Sequence, residues 1–164
     1  FPPHLLQRRR YNVLAAAHTG DRAEYVSRQV QRYIRDNSAM LGYGLATEAV
    51  GQWQTTRGGE YKAAGVGVGI AGFRADIGLI DDPVKSREEA DSPVVQERIW
   101  DWYWSDFTTR LKPGATQVLI MTRWSEGDLG GRLEETEGDQ WHVVRLPAIA
   151  EDDDPLGRAP GDWL

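Results

Sequence analysis

The chain has 164 residues, 40% of them hydrophobic, with seven tryptophans and no cysteine. It can bury one sizeable core but is short for two domains, and any metal falls to carboxylate, hydroxyl or imidazole ligands, a set that suits magnesium better than zinc. No run of about 18 apolar residues occurs, and Phe1-Pro2-Pro3-His4 has neither an initiator Met nor the layout of a secretion signal, so the chain reads as soluble, without a membrane span, and cut at its start.

The formal charge of -6 is unevenly spread. Residues 1–37 carry seven Arg against three acids, and residues 91–164 carry seven Lys or Arg against fifteen, so composition neither establishes nor excludes a DNA partner. In chain order, residues 1–10 read as the end of a helix, because Arg8-Arg9-Arg10 are cations suited to a helix C-terminus. Asn12 to Ala17 is a short apolar run, as expected of a strand buried on both faces, and His18-Thr19-Gly20 ends it. Asp21 with Glu24 marks a helix start, and Ala23, Val26, Val30, Tyr33 and Ile34 form its apolar stripe up to Arg35-Asp36-Asn37.

Trp53 to Thr56 and Tyr61 to Ala64 flank Arg57-Gly58-Gly59-Glu60, which predicts a β-hairpin. A glycine-rich loop or strand follows from Gly65 to Gly72, then a second buried strand over Ile77 to Ile80. Ser92 and Pro93 open a long helix whose stripe, Val95, Ile99, Trp102 or Tyr103, Phe107 and Leu111, continues to a stop at Pro113-Gly114. The cluster Trp100, Trp102, Tyr103 and Trp104 is too broad for one stripe and reads as packing. Val118 to Met121 is a third buried strand, Ser125 with Asp128 starts a short helix reaching about Glu135, and Trp141 to Leu146 predicts a further strand. Beyond Pro147 the chain turns acidic and rich in Pro and Gly, as a linker does. Strands alternating with helices predict an α/β sheet with ligands where strands end.

Asp81-Asp82 closes an apolar strand, the chemistry of a Walker B site, in which one carboxylate holds the magnesium of Mg-ATP and the next polarises the attacking water. Asp-Asp-Pro is equally good turn chemistry. Thr122 and Arg123 end another strand, where they could sense a terminal phosphate or serve as a turn residue and a surface cation. Arg74 precedes the aspartate-bearing strand, placed to reach a phosphate in this subunit or its neighbour, or to pair with Asp76. Gly67 to Gly72 fits G-x-G-x-x-G, but a strand rather than a helix follows, which removes the dinucleotide reading. No G-x-x-x-x-G-K-[ST] loop occurs; the three lysines are Lys62, Lys85 and Lys112.

Read together, these segments resemble phage terminase large subunits. Leu14 to Asp21 with its helix resembles the family's strand and helix after the phosphate loop, and Gly69 to Asp76 its Gly/Arg segment. Leu79-Ile80-Asp81-Asp82-Pro83 resembles Walker B, in an Asp-Asp form. Glu88-Glu89-Ala90-Asp91, Leu111-Lys112-Pro113-Gly114 and Ile120 to Trp124 resemble the stretch leading to the coupling motif, and Leu146 to Arg158 the passage toward the nuclease domain.

The resemblance implies an incomplete parallel-sheet P-loop NTPase-like (ASCE) core with helices on both faces and a β-hairpin insertion. Residues 1–150 would be a partial ATPase domain and 151–164 a linker toward an absent nuclease domain. It implies Mg2+ and ATP as cofactors, with Asp81 holding the metal, Asp82 activating water, Thr122 coupling hydrolysis to movement, Arg123 near the nucleotide and Arg74 as arginine finger. The implied partners are double-stranded DNA, portal protein, the small terminase subunit and further copies in a ring. The implied setting is the bacterial cytoplasm, docked on the procapsid. Lacking the Walker A loop, the fragment alone is expected to be inactive, as a trimmed piece or a decayed prophage gene product. Two rivals stand beside this: a metal-dependent nuclease or phosphohydrolase using Asp76, Asp81 and Asp82, and a non-catalytic remnant that binds DNA or packaging proteins.

Overall fold

The computed structural model describes residues 10–164, so the helix end expected over residues 1–10 falls almost wholly outside the described residues. They form a mixed α/β fold around a five-stranded sheet. The strands are β1 (Asn12–Ala17), β2 (Gln52–Gln54), β3 (Glu60–Gly65), β4 (Ala75–Asp81) and β5 (Leu111–Ile120), in the order β2-β3-β1-β4-β5. β1 is parallel to both β3 and β4, and β4 to β5; only β2 runs antiparallel, against β3. The expected hairpin is therefore present as β2–β3, but β3 is a full member of the sheet, so the pair is integral and not an insertion. The two compact units of the chain are one ending at Gly131 and one running Arg132–Leu164.

Helix α1 (Gly20–Asp36) begins two positions earlier than an Asp21 N-cap would have it: Thr19, in extended backbone, is its N-cap and accepts the Arg22 N–H. Its buried residues are Ala23, Ser27, Gln31 and Ile34. Tyr33, expected on that stripe, instead lies 74% exposed. Ser27 goes inside because partners wait there, whereas the buried Gln31 Nε2 has no hydrogen-bond partner among the described residues. Trp53 donates from Nε1 to Ser27 Oγ at 2.9 Å, and Ser27 donates onward to the Val50 carbonyl at 2.6 Å. Trp53 and Tyr61, cross-strand partners on β2 and β3, stack at 4.8 Å in the core that also holds Ala15 and Ile34. A single turn, α2 (Ser38–Leu41), follows α1.

The other sheet face is covered by the aromatic segment. After the short α3 (Arg87–Ala90), capped by Ser86, helix α4 (Pro93–Trp102) has Ser92 as N-cap and Pro93 in its first turn, as expected. It does not run on to Pro113. A π turn (Tyr103–Phe107) and a 3-10 turn (Thr108–Arg110) follow, and Leu111 opens β5. The wider π turn adds a residue to the cycle, which lets Trp102, Tyr103 and Phe107 all be buried. Gly78 makes room for them: a Cβ there would sit 2.7 Å from Phe107 and 2.8 Å from Leu111. Pro113-Gly114 lies inside β5 beside a register irregularity at Ala75/Ile77, tolerable because among the described residues β5 pairs with β4 alone and forms an edge.

Helix α5 (Leu129–Glu137) starts later than Ser125. The strand expected at Trp141 to Leu146 does not form: the segment finds no ladder partner among the described residues, and Val143, Val144 and Leu146 stay exposed. The tail beyond Pro147 closes on itself. Ala150 donates to the Asp162 carbonyl and Leu164 to the Ala148 carbonyl, while Asp154, buried, accepts from Arg158 Nε at 3.2 Å and from the Leu156 N–H at 2.9 Å. No described helix is long and apolar enough to cross a membrane.

Candidate functional site at the carboxyl rim of the sheet

Parallel strands bring chain positions far apart in sequence to one rim. Ala17 of β1 is in register with Asp81 of β4, and Asp81 with Ile120 of β5, so His18, Asp82 and Thr122 all lie just past that line. β1 and β4 are apolar over most of their length, β5 only over Val118–Ile120, and each ends where a polar residue meets water. Asp82 extends the ladder by one bond, donating its N–H to the Ile120 carbonyl at 2.8 Å. Its carboxylate Oδ1 accepts the Thr122 N–H at 3.3 Å. Asp82 and Thr122 are thus linked across neighbouring strand ends.

Asp82 has φ +51°, the only non-glycine residue with positive φ among those described. Aspartate tolerates this left-handed conformation better than most residues, and sites that hold one there are enriched in function. Asp81 is the last residue of β4, half-buried, and alternation puts it on the sheet face that α1 covers, with Ala17 and Tyr61. Burial, and secondarily the Asp81 carboxylate, pushes the Tyr61 hydroxyl up to about 12.

Thr122 is exposed at the rim, in a turn fastened by Asp128. The Asp128 carboxylate, 3% exposed, accepts from the N–H groups of Trp124, Ser125 and Gly131 and from Arg123 Nε. Arg123 therefore stands next to Thr122 with its guanidinium engaged by Asp128 and, through Nη2, by the Ser125 carbonyl. The sequence marked Asp128 only as a helix-start signal. Its larger role, gathering three backbone donors and a cation, was signalled by its place three residues after Ser125 in a turn that also ends a strand. His18 and Thr19 do face the rim. Thr19 caps α1, and the buried Nδ1 of His18 has no hydrogen-bond partner among the described residues.

Arg74 lies elsewhere. It is exposed at the amino end of β4, so the seven-residue strand separates it from Asp82 by roughly 20 Å. Within one copy it does not share the rim. The alternative Arg74–Asp76 pair is also replaced: Lys112 Nζ takes Asp76 at 2.9 Å, and Asp76 accepts the Asn12 N–H at 2.8 Å. Asp76 is thereby a fastening of β1, β4 and β5 at the end opposite Asp81 and Asp82. Among the described residues no group of three or more His, Asp or Glu side chains is arranged to hold a metal. A two-metal nuclease needs such a set, whereas magnesium bound with a nucleotide needs only one or two carboxylates, its remaining ligands being phosphate and water. The rim fits the second requirement.

A family model described as terminase large subunit, T4likevirus-type, N-terminal, matches residues 1–163. No curated protein matches the chain.

Proposed function

Because the chain belongs to the family of terminase large subunits, T4likevirus-type, N-terminal part, with a role in phage DNA packaging, we propose that its carboxyl rim is the hydrolytic edge of an ATP-driven packaging motor. The observation that carries this reading is the Thr122 N–H bonded to Asp82 Oδ1 across the ends of β4 and β5. It joins a carboxylate able to orient water to a hydroxyl-bearing turn able to respond when that carboxylate moves. Asp81, the preceding acid, would hold magnesium, which supplies charge neutralisation on the phosphate oxygens.

Asp82 would accept a hydrogen bond from the attacking water and aim it at the terminal phosphate. Thr122, hydrogen-bonded to Asp82 through its backbone, would pass any shift of that carboxylate into the Arg123–Asp128 turn and helix α5. The parallel order of β1, β4 and β5 supports an incomplete P-loop NTPase-like core. Among the described residues the outer edge of β5 is free, with Ile120 55% exposed, which leaves room for a further parallel strand that would bring a phosphate loop to the same rim. Arg74, distant within one copy, would act as an arginine finger only toward a neighbouring copy in a ring. Double-stranded DNA, portal protein and the small terminase subunit complete the proposed assembly, docked on the procapsid in the host cytoplasm.

In the complete subunit, ATP hydrolysis should require Mg2+, and Asp81→Ala should raise the Mg2+ concentration needed for half-maximal turnover or abolish turnover altogether. A magnesium dependence identical to that of the unaltered protein would overturn the assignment.

A further inference from the structure

The hydrolytic reading leaves the outward face of α1 unused. With Ala23, Ser27, Gln31 and Ile34 turned inward, helical spacing puts Arg22, Tyr25, Arg28, Gln29, Arg32 and Tyr33 on the opposite side, between the exposed acids Asp21 and Asp36 at its two ends. From Tyr25 to Arg35 the helix contains three arginines and no acid, in a chain whose formal charge is -6. Two aromatic rings stand in water among these cations: Tyr33 is 74% and Tyr25 49% exposed. The Arg22 guanidinium lies over the Tyr25 ring, 5.5 Å from its centroid.

Arg35 is taken by Glu48 at 3.3 Å, while the nearest acids hold the other two arginines loosely. Arg28 stands 3.8 Å from Glu24 and Arg32 3.7 Å from Asp36, both exposed and both beyond hydrogen-bonding distance. Their N–H groups are open to another acceptor. Arg22 and Tyr33 lie about 16 Å apart along the helix axis, long enough to follow several successive phosphates of a duplex.

We infer that this face of α1 is a contact surface for the sugar–phosphate backbone of double-stranded DNA. The arginines take phosphate oxygens, and the tyrosine and glutamine side chains hydrogen-bond to phosphate or pack on sugar, without reading sequence. An acidic segment of a second copy would satisfy the same charge. The face, however, has only the half-buried Val26 at its edge as an aliphatic side chain, too little for the dry centre of a protein interface. The inference takes its partner from the packaging reading but needs neither nucleotide nor the hydrolytic rim.

The test is a fluorescence-anisotropy titration of a short labelled duplex of mixed sequence with this chain, without nucleotide, at several salt concentrations. The double variant Arg28→Glu/Arg32→Glu should weaken binding roughly tenfold or more and flatten the salt dependence by about two counterions. Arg87→Glu/Arg145→Glu, which changes net charge equally on other surfaces, should stay within about twofold of the unaltered chain. Circular dichroism of both doubles reports whether α1 stays folded, and Arg28→Lys/Arg32→Lys should retain most of the affinity. Equal weakening by the two charge-reversal doubles, or no binding by the unaltered chain, overturns the inference. So does loss of self-association in Arg28→Glu/Arg32→Glu with DNA affinity retained, which would assign the face to a second copy. Because nucleotide is absent, failure of the hydrolytic assignment leaves this result untouched.

Discussion

Replacing Asp128 with alanine should unfasten the turn that presents Thr122. The carboxylate is 3% exposed and accepts from Trp124 N at 2.9 Å, Ser125 N at 3.1 Å, Gly131 N at 2.9 Å and Arg123 Nε at 3.0 Å. The bond to Gly131 acts as a helix N-cap, whose loss costs about 1 kcal/mol. The other two backbone donors lose charge-assisted bonds but regain water at the surface, so about 1 kcal/mol each is a fair value. The ion pair adds at most about 1 kcal/mol, because Arg123 is 38% exposed and screened. The total, about 3–4 kcal/mol, corresponds to a fall in melting temperature of roughly 6–16 °C for a chain of this size. Asp128→Asn, which keeps one acceptor oxygen but no charge, should lose about half as much. Thermal unfolding followed by tryptophan fluorescence and circular dichroism measures both. An Asp128→Ala protein melting within about 2 °C of the unaltered chain would mean that the turn is held by something else.

In the complete subunit, Thr122→Ala should leave hydrolysis partly intact but uncouple it from DNA translocation; equal loss of both activities counts against a coupling role. Gly65→Ala places a Cβ 2.8 Å from the Gly20 backbone nitrogen, where β3 ends against the first turn of α1. It should destabilise the fold by about 1–3 kcal/mol, readable in a denaturant melt. The Arg158 side chain beside Asp154 holds that carboxyl below the ordinary carboxylate range. A depressed folded value means that its contribution is present above the ordinary carboxylate range and lost as pH falls through the lower folded value. The tail turn should therefore hold through the ordinary carboxylate range and loosen as pH falls below it, and Arg158→Ala should raise the Asp154 titration, followed by carboxyl NMR, toward the ordinary range.

The parts of the fold that the sequence displays are those governed by local rules. β1 and β4 are apolar runs with abrupt polar ends because parallel strands are buried on both faces. The β2–β3 hairpin announces itself in Gly58-Gly59, and α4 in Ser92-Pro93. What escapes is set by non-local partners. Ser27 is buried because Trp53, 26 positions on, supplies an indole N–H, and no periodicity in α1 contains that information. The same periodicity puts Tyr33 inside, where the structure places Ile34 and leaves Tyr33 74% exposed. A 3.6-residue repeat cannot anticipate the π turn over Tyr103–Phe107, so the helix is drawn too long and β5 too short. Trp141 to Leu146 alternates like a strand, but alternation does not supply a neighbour.

At the site, strand-end logic suffices for Asp81, Asp82 and Thr122, because parallel strands must end on one rim. The same logic separates Arg74, which precedes β4, from Asp82, which follows it. The left-handed backbone of Asp82 and the several donors gathered by Asp128 depend on β4 and β5 being adjacent, and that adjacency is a property of the sheet order.

The most direct measurement is a single-turnover experiment on the complete terminase large subunit with Asp82→Ala. The subunit is loaded with radiolabelled ATP and magnesium, and cleavage of the bound nucleotide is followed after mixing with a chase. If the water-orienting group at the β4–β5 rim is Asp82, the variant binds ATP and leaves it uncleaved while the unaltered protein converts it. Cleavage of bound ATP at the unaltered rate would place the hydrolytic chemistry elsewhere.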